Sequence, residues 1–146
     1  MNKKTLGRLL DTALAHHKAG RHAEADALYA QVREAAPRLF DGWFLGGALA
    51  IHADRPADAV PLLTRALQIE SGSSKCRLFL GMALADLGRY AEAEKPLRAA
   101  LQKHPDHPAA WENLAKVLTE LGRPAEADEC LRHVRKASCI SDVDAA

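Results

Sequence analysis

Four segments of this chain repeat one another at a constant step, and that period constrains the fold more than any other feature. The segments begin at His22, Pro56, Tyr90 and Pro124, each 34 residues after the last, and share an Ala-Glu-Ala or Ala-Asp-Ala core. Other columns keep the same step. Arg21, Arg55, Arg89 and Arg123 form one, and Ala25, Ala59, Ala93 and Ala127 another. Ala13, Gly47, Gly81 and Ala115 are uniformly small, and Gly20, Gly88 and Gly122 share a column in which Asp54 replaces glycine. A supersecondary unit repeated at this period cannot bury its apolar face alone, so neighbours must stack.

The period divides into two helical stretches. In the first copy these are Leu6 to Ala19 and Ala23 to Ala36, with Gly20-Arg21-His22 as the turn. Glycine stops the first helix in a left-handed conformation. Pro56 and Pro124 begin second helices, where the missing N–H costs nothing, and Pro37 and Pro105 end repeats. Pro61 and Pro96 fall inside second helices and should bend them. The two small columns should face each other within a hairpin and let its helices approach closely. Tyr29, Leu63, Leu97 and Leu131, with Val32, Ala66, Ala100 and Val134, should then fill the layer against the next repeat.

Composition agrees. Of 146 residues, 48% are apolar but only 5% aromatic, which suits a core of Ala, Leu and Val between helices. Twenty basic and nineteen acidic side chains leave a formal net charge of +1, without the concentrated basic face of a nucleic-acid binder. Cys76, Cys130 and Cys139 form neither a disulfide framework nor a zinc motif. Cys76 reads as a packed structural thiol at a helix start, and Ser71 to Ser74 as loop and capping residues. No signal peptide or membrane span is readable, which places the chain in a reducing cytoplasm. No nucleophile elbow or phosphate-binding loop appears, so the chain reads as non-enzymatic and without a cofactor. Of seven histidines, His16, His17 and His22 cluster at one turn and His104 and His107 at another. His17 and His52 stand where adjacent first helices could bring them together. No Asp or Glu completes a metal site there, so the reading is solvated turn histidines and no metal.

The period and columns resemble the tetratricopeptide repeat family. Trp43 with Gly46-Gly47, Trp111 with Leu114-Ala115, Leu80-Gly81, and Gly88 with Tyr90 carry the resemblance over about residues 5–139. Leu9 and Arg77 depart from the tryptophan column, and Ser71 and Cys139 from the terminal proline. The resemblance implies an all-α fold, a right-handed α-solenoid of four antiparallel helix-turn-helix hairpins and about eight helices. It would form a single domain over 1–146, with repeats at about 6–39, 40–73, 74–107 and 108–141.

It also implies a binding scaffold whose first helices line a concave groove. At the family's groove positions stand Leu10, Asp11, Leu14, His17 and Lys18 in the first repeat, and Asp41, Phe44, Leu45, Ala48, Ile51 and His52 in the second. The third presents Lys75, Leu78, Phe79, Met82, Ala85 and Asp86, and the fourth Glu112, Asn113, Lys116, Thr119 and Glu120. Leu10, Leu14, Phe44, Ile51, Leu78, Phe79 and Met82 should form an apolar strip that binds an apolar or amphipathic segment of a protein partner. The competing reading is that this strip is ordinary intra-repeat core. Some relatives hold acidic chaperone tails with Lys, Asn and Arg. The matching positions here are Leu10, Leu14, Leu45, Lys75 and Phe79, of which only Lys75 agrees, and that ligand is not expected.

The last hairpin should end near Ala137, with Ser141-Asp-Val-Asp144 resembling a helix start. Leu131, Val134, Val117 and Leu121 would then lack a covering hairpin. Two explanations stay open. The chain is the N-terminal, targeting part of a longer transferase-type enzyme, or it self-associates through that end or through the groove.

Overall fold

The computed structural model describes the backbone of residues 1–145 and the side chains of residues 1–136. The described backbone is all helix and turn, with eight helices: α1 (Lys3–Lys18), α2 (His22–Ala35), α3 (Phe40–His52), α4 (Pro56–Ile69), α5 (Ser74–Asp86), α6 (Tyr90–Lys103), α7 (Pro108–Glu120) and α8 (Pro124–Ala145). They gather into two compact units, Met1–Gly72 and Ser73–Ala146, each of two hairpins. Within the first unit α2 packs on both α1 and α3. Within the second α6 packs on both α5 and α7, and α7 also touches α5.

All four hairpin joints are built alike. Gly20, Gly88 and Gly122 have φ of 78°, 76° and 77°, and Asp54 follows them at 59°. The backbone then closes each first helix with paired bonds, as from Arg21 N to His16 O (2.9 Å) and Gly20 N to His17 O (3.1 Å). The same pair recurs at Arg55, Arg89 and Arg123. This arrangement satisfies carbonyls that the helix end would otherwise orphan, and it needs a left-handed residue at one position only. The glycine column is therefore a backbone requirement.

The arginine column has a different cause. Each arginine is the N-cap residue of the second helix. Three of the four reach the acidic residue three positions on: Arg55 to Asp58 (3.4 Å), Arg89 to Glu92 (2.6 Å) and Arg123 to Glu126 (2.5 Å). Arg21 instead donates from Nε to His16 Nδ1 at 2.8 Å.

The small residues do not merely let helices touch. A methyl at Gly47 would lie 2.6 Å from Leu63 Cγ, and one at Gly81 2.6 Å from Leu97 Cγ. Leu63 and Leu97, both fully buried, thus occupy the space over the glycines of their own hairpins. This contact within the hairpin is one that the sequence reading, which placed them in the layer toward the next repeat, did not include. Burial of each contributes roughly 1.5–3 kcal/mol. The neighbouring Gly46 serves another purpose, since its open face receives the Arg33 guanidinium from α2.

The terminal prolines also do more than stop helices. Trp43 Nε1 donates to the Pro37 carbonyl at 2.9 Å, and Trp111 Nε1 to the Pro105 carbonyl at 2.7 Å. Tryptophan and proline are thus one device spanning two repeats. Arg33 and Arg65 both lie over the Trp43 ring, 5.7 and 5.9 Å from its centroid, whereas His133 stacks on Trp111 with centroids 4.0 Å apart.

Two boundaries differ from expectation. α1 starts earlier because Asn2 Oδ1 accepts from Thr5 N at 2.8 Å and caps it. Pro61 and Pro96 lie inside α4 and α6 as expected, and both helices continue through them. α8 continues to Ala145 instead of ending near Ala137, since neither glycine nor proline interrupts the sequence after Pro124. Ser73 caps α5 as expected, its Oγ accepting from Cys76 N at 3.2 Å, and Cys76 is fully buried. The side chain of Cys139 lies outside the described residues. No helix is long and apolar enough to cross a membrane among the described residues.

Candidate binding surface on the first helices

The expected groove residues fall into three classes. Phe44, Ala48 and Leu78 are buried, at 6%, 4% and 6% exposure, and serve packing. Leu10, Leu14, His17, Leu45, Ile51, Phe79, Met82 and Asn113 are half-buried, and Asp41, Lys75, Glu112 and Lys116 are exposed. The strip is thus narrower than the sequence suggests, because the 3.6-residue period cannot tell a side chain at the helix seam from one a few tens of degrees beyond it.

In the first unit, Leu10 and Leu45, with Leu28, lean on a buried cluster of Ala13, Ala25, Tyr29 and Leu49. They are packed against that cluster yet only half-buried. Leu14 and Ile51 continue the half-buried run on α1 and α3, and Asp41 supplies an exposed charge at the start of α3. In the second unit Phe79 and Met82 are half-open apolar groups at the groove positions of α5. Lys75 on α5 and Glu112 and Lys116 on α7 are exposed, and Lys116 Nζ lies 4.0 Å from Asp86. Asn113 turns its amide back on its own helix, donating to Ala109 O at 2.8 Å.

His17 differs most from its sequence reading. It is not a solvated turn residue. Its Nδ1 lies 3.2 Å from the Tyr29 hydroxyl and its Nε2 2.7 Å from His52 Nδ1, with His22 edge-on at 6.4 Å between centroids. Burial lowers its pKa below the ordinary histidine value, and the neighbouring His52 and His22 lower it further. Burial pushes the Tyr29 hydroxyl up to about 12. Tyr29 was not among the expected site residues. Its signal was there: it is the only hydroxyl in a column otherwise of leucine.

A second polar cluster joins α6 to the start of α8. Glu94 accepts from Arg98 Nε at 2.8 Å and from Arg123 Nη1 at 2.7 Å, and Arg123 turns its other edge to Glu126. Arg98 lies 3.5 Å from Glu126 and closes the ring. The hydrogen bond from Arg98, and then that from Arg123, holds the Glu94 carboxyl below its ordinary range. Beside this ring a cleft of about 150 Å³ is lined by Trp111, Leu118, Cys130 and His133. Among the described residues, no group of three or more His, Cys, Asp or Glu is disposed to hold a metal ion.

Models of the tetratricopeptide repeat match residues 7–31, 50–98 and 79–138. No curated protein sequence matches the chain. Among solved structures, MamA from Desulfovibrio magneticus RS-1 (residues 41 to the end) is 16% identical. The match covers 96% of this chain and 79% of that one, with a TM-score of 0.88. YrrB, described as a repeat protein of this kind with an unusual peptide-binding site, is 22% identical over 86% of this chain and 64% of that one, with a TM-score of 0.79. The first repeat domain of Spaghetti (RPAP3), bound to the HSP90 peptide SRMEEVD, is 20% identical over 84% and 97%, with a TM-score of 0.79. These similarities establish an all-α helical-repeat fold of the solenoid class.

Proposed function

Since this chain belongs to the tetratricopeptide repeat family, we infer that it is a non-catalytic scaffold holding an apolar or amphipathic segment of another polypeptide on its first helices. The observation that carries this reading is the state of Leu10, Leu14, Leu45, Ile51, Phe79 and Met82. They remain partly open on first helices although the core beneath them is filled. Side chains already half-buried in the free protein lose little further rotamer freedom when a ligand covers them. Met82 adds a contact that adapts to the partner's shape. Exposed charges, Asp41 in the first unit and Lys75, Glu112 and Lys116 in the second, would help orient the bound segment.

The acidic chaperone peptide seen with the RPAP3 domain is a poor model for this ligand. A carboxylate clamp needs donors, and Leu10, Leu14, Leu45 and Phe79 offer none. The test is direct binding of a partner identified by pull-down, repeated with Leu45→Asp plus Phe79→Asp while circular dichroism verifies helicity. Binding should fall at least tenfold. Undiminished binding by a helical variant refutes the groove. Lys75→Glu with Lys116→Glu, both at exposed positions, provides a second variant that leaves packing intact.

Self-association is a second reading favoured by one observation: Leu131 on α8 is 43% exposed, one of three large apolar side chains so open among the described residues. Val117, by contrast, is fully buried and Leu121 half-buried. Light scattering across concentration, with Leu131→Glu as control, separates a monomer from a dimer that uses this face.

A further inference from the structure

We propose that Tyr29, His17 and His52 form a proton-responsive latch, closed at neutral pH and opened by mild acid, that ties the ends of α1 and α3 together. These helices belong to successive hairpins, and the link between their C-terminal ends is the 2.7 Å approach of His17 Nε2 to His52 Nδ1. Two ring nitrogens at that distance share one proton. If both carry one, two N–H groups face each other.

The buried tyrosine gives the chain a direction. Tyr29 is fully buried, and its hydroxyl has His17 Nδ1 at 3.2 Å as its hydrogen-bond partner. A buried hydroxyl proton needs an acceptor. The hydroxyl therefore donates to Nδ1, neutral His17 keeps its own proton on Nε2, and that N–H donates to His52 Nδ1. Protonating His17 places an N–H against the Tyr29 hydroxyl and reverses its role. Protonating His52 at Nδ1 sets it against the His17 N–H, unless His17 changes tautomer and again reverses Tyr29. Each route either breaks the link or strands the buried hydroxyl proton.

Burial and the two neighbouring histidines disfavour a charge on His17. On α1 the neighbours are Lys18 and His16, the latter accepting from Arg21. On α2 they are His22, edge-on to His17, and Asp26, which acts on Arg33. After His52 come Asp54 in the turn and Arg55, which pairs with Asp58. The lowered pKa of His17 agrees. The sign follows: the unfolded chain takes up protons first as pH falls through about 6.5, so the latch stabilises above that value and its contribution is lost below it.

The latch is built from contacts within the first unit, and its test needs no ligand. In the ¹⁵N-labelled full chain, ring NMR at pH 7.5 should show His17 neutral with its proton on Nε2, titrating below the ordinary histidine midpoint. Acidification from pH 7.5 to 5.5 should lower the unfolding midpoint of the parent more than that of His52→Gln, which removes the exposed partner. Tyr29→Phe should raise the His17 midpoint. A His17 proton on Nδ1, or an unchanged pH slope in His52→Gln, overturns the proposal.

Discussion

At the scale of single residues, the small and left-handed positions carry the sharpest consequences. Gly47→Ala puts a methyl where Leu63 already lies and should cost about 1–3 kcal/mol. Leu63→Ala alone should cost about 2–5 kcal/mol by leaving a cavity. The double substitution should cost less than the sum, because the new methyl enters the space vacated. A double-mutant cycle by urea denaturation checks this, and strict additivity would show that the two positions do not share that space. Asp54 is the one left-handed joint not occupied by glycine. Asp54→Gly should stabilise by up to about 1 kcal/mol, read as a higher thermal midpoint. Both sites were half legible. The repeat columns mark where small residues are required, because backbone geometry and steric exclusion act at fixed sequence spacing. What fills the space is a partner's rotamer, which no spacing encodes. The same limit explains Phe44, Ala48 and Leu78: they sit at groove positions by number, and their burial depends on helix rotation.

At the scale of helices and their joints, two devices recur or bridge. Trp111→Phe keeps a ring against His133 but loses the bond to the Pro105 carbonyl, at a cost of about 1 kcal/mol in chemical denaturation. The sequence shows this coupling only in outline. Pro37 and Trp43 occur together, as do Pro105 and Trp111, while Ser71 and Arg77 replace both members of the intervening pair. The ring of Glu94, Arg98, Arg123 and Glu126 is the second device. The Glu94 carboxyl is held low when folded, so its contribution is present above about pH 4.5, its ordinary value, and is lost as pH falls below it. Glu94→Gln should give a shallower acid limb in a stability-against-pH profile and a weaker dependence on salt. An unchanged acid limb would mean the ring exerts no net pull on this carboxyl. The Arg-x-x-Glu spacing was readable in the repeat. The reach from Arg123 back to Glu94 was not, because it depends on how successive hairpins dock.

At the scale of the whole molecule, the fold was legible from the period alone, and the binding surface only as a band of candidate positions. A repeat states its architecture four times over, whereas a binding strip is stated once, by whichever side chains differ between copies. The departures from the repeat are thus the informative residues: Tyr29 in a leucine column, His17 and His52 at the ends of the first two first helices, and Phe79 and Met82 on α5. On the scaffold reading, Leu45→Asp with Phe79→Asp should weaken partner binding at least tenfold while far-ultraviolet dichroism stays helical. Lys75→Glu with Lys116→Glu should slow association more than it speeds release, as measured by surface-plasmon kinetics at low salt.

The placement of the two tryptophans has a practical reach. The chain has only two, Trp43 in the first compact unit and Trp111 in the second, each clasping the carbonyl six residues earlier. Changing either to phenylalanine leaves a lone indole whose fluorescence speaks for one half of the molecule. The protein therefore carries its own pair of optical gauges, one per half, with which melting, ligand capture and acid response can be followed separately without attaching a dye.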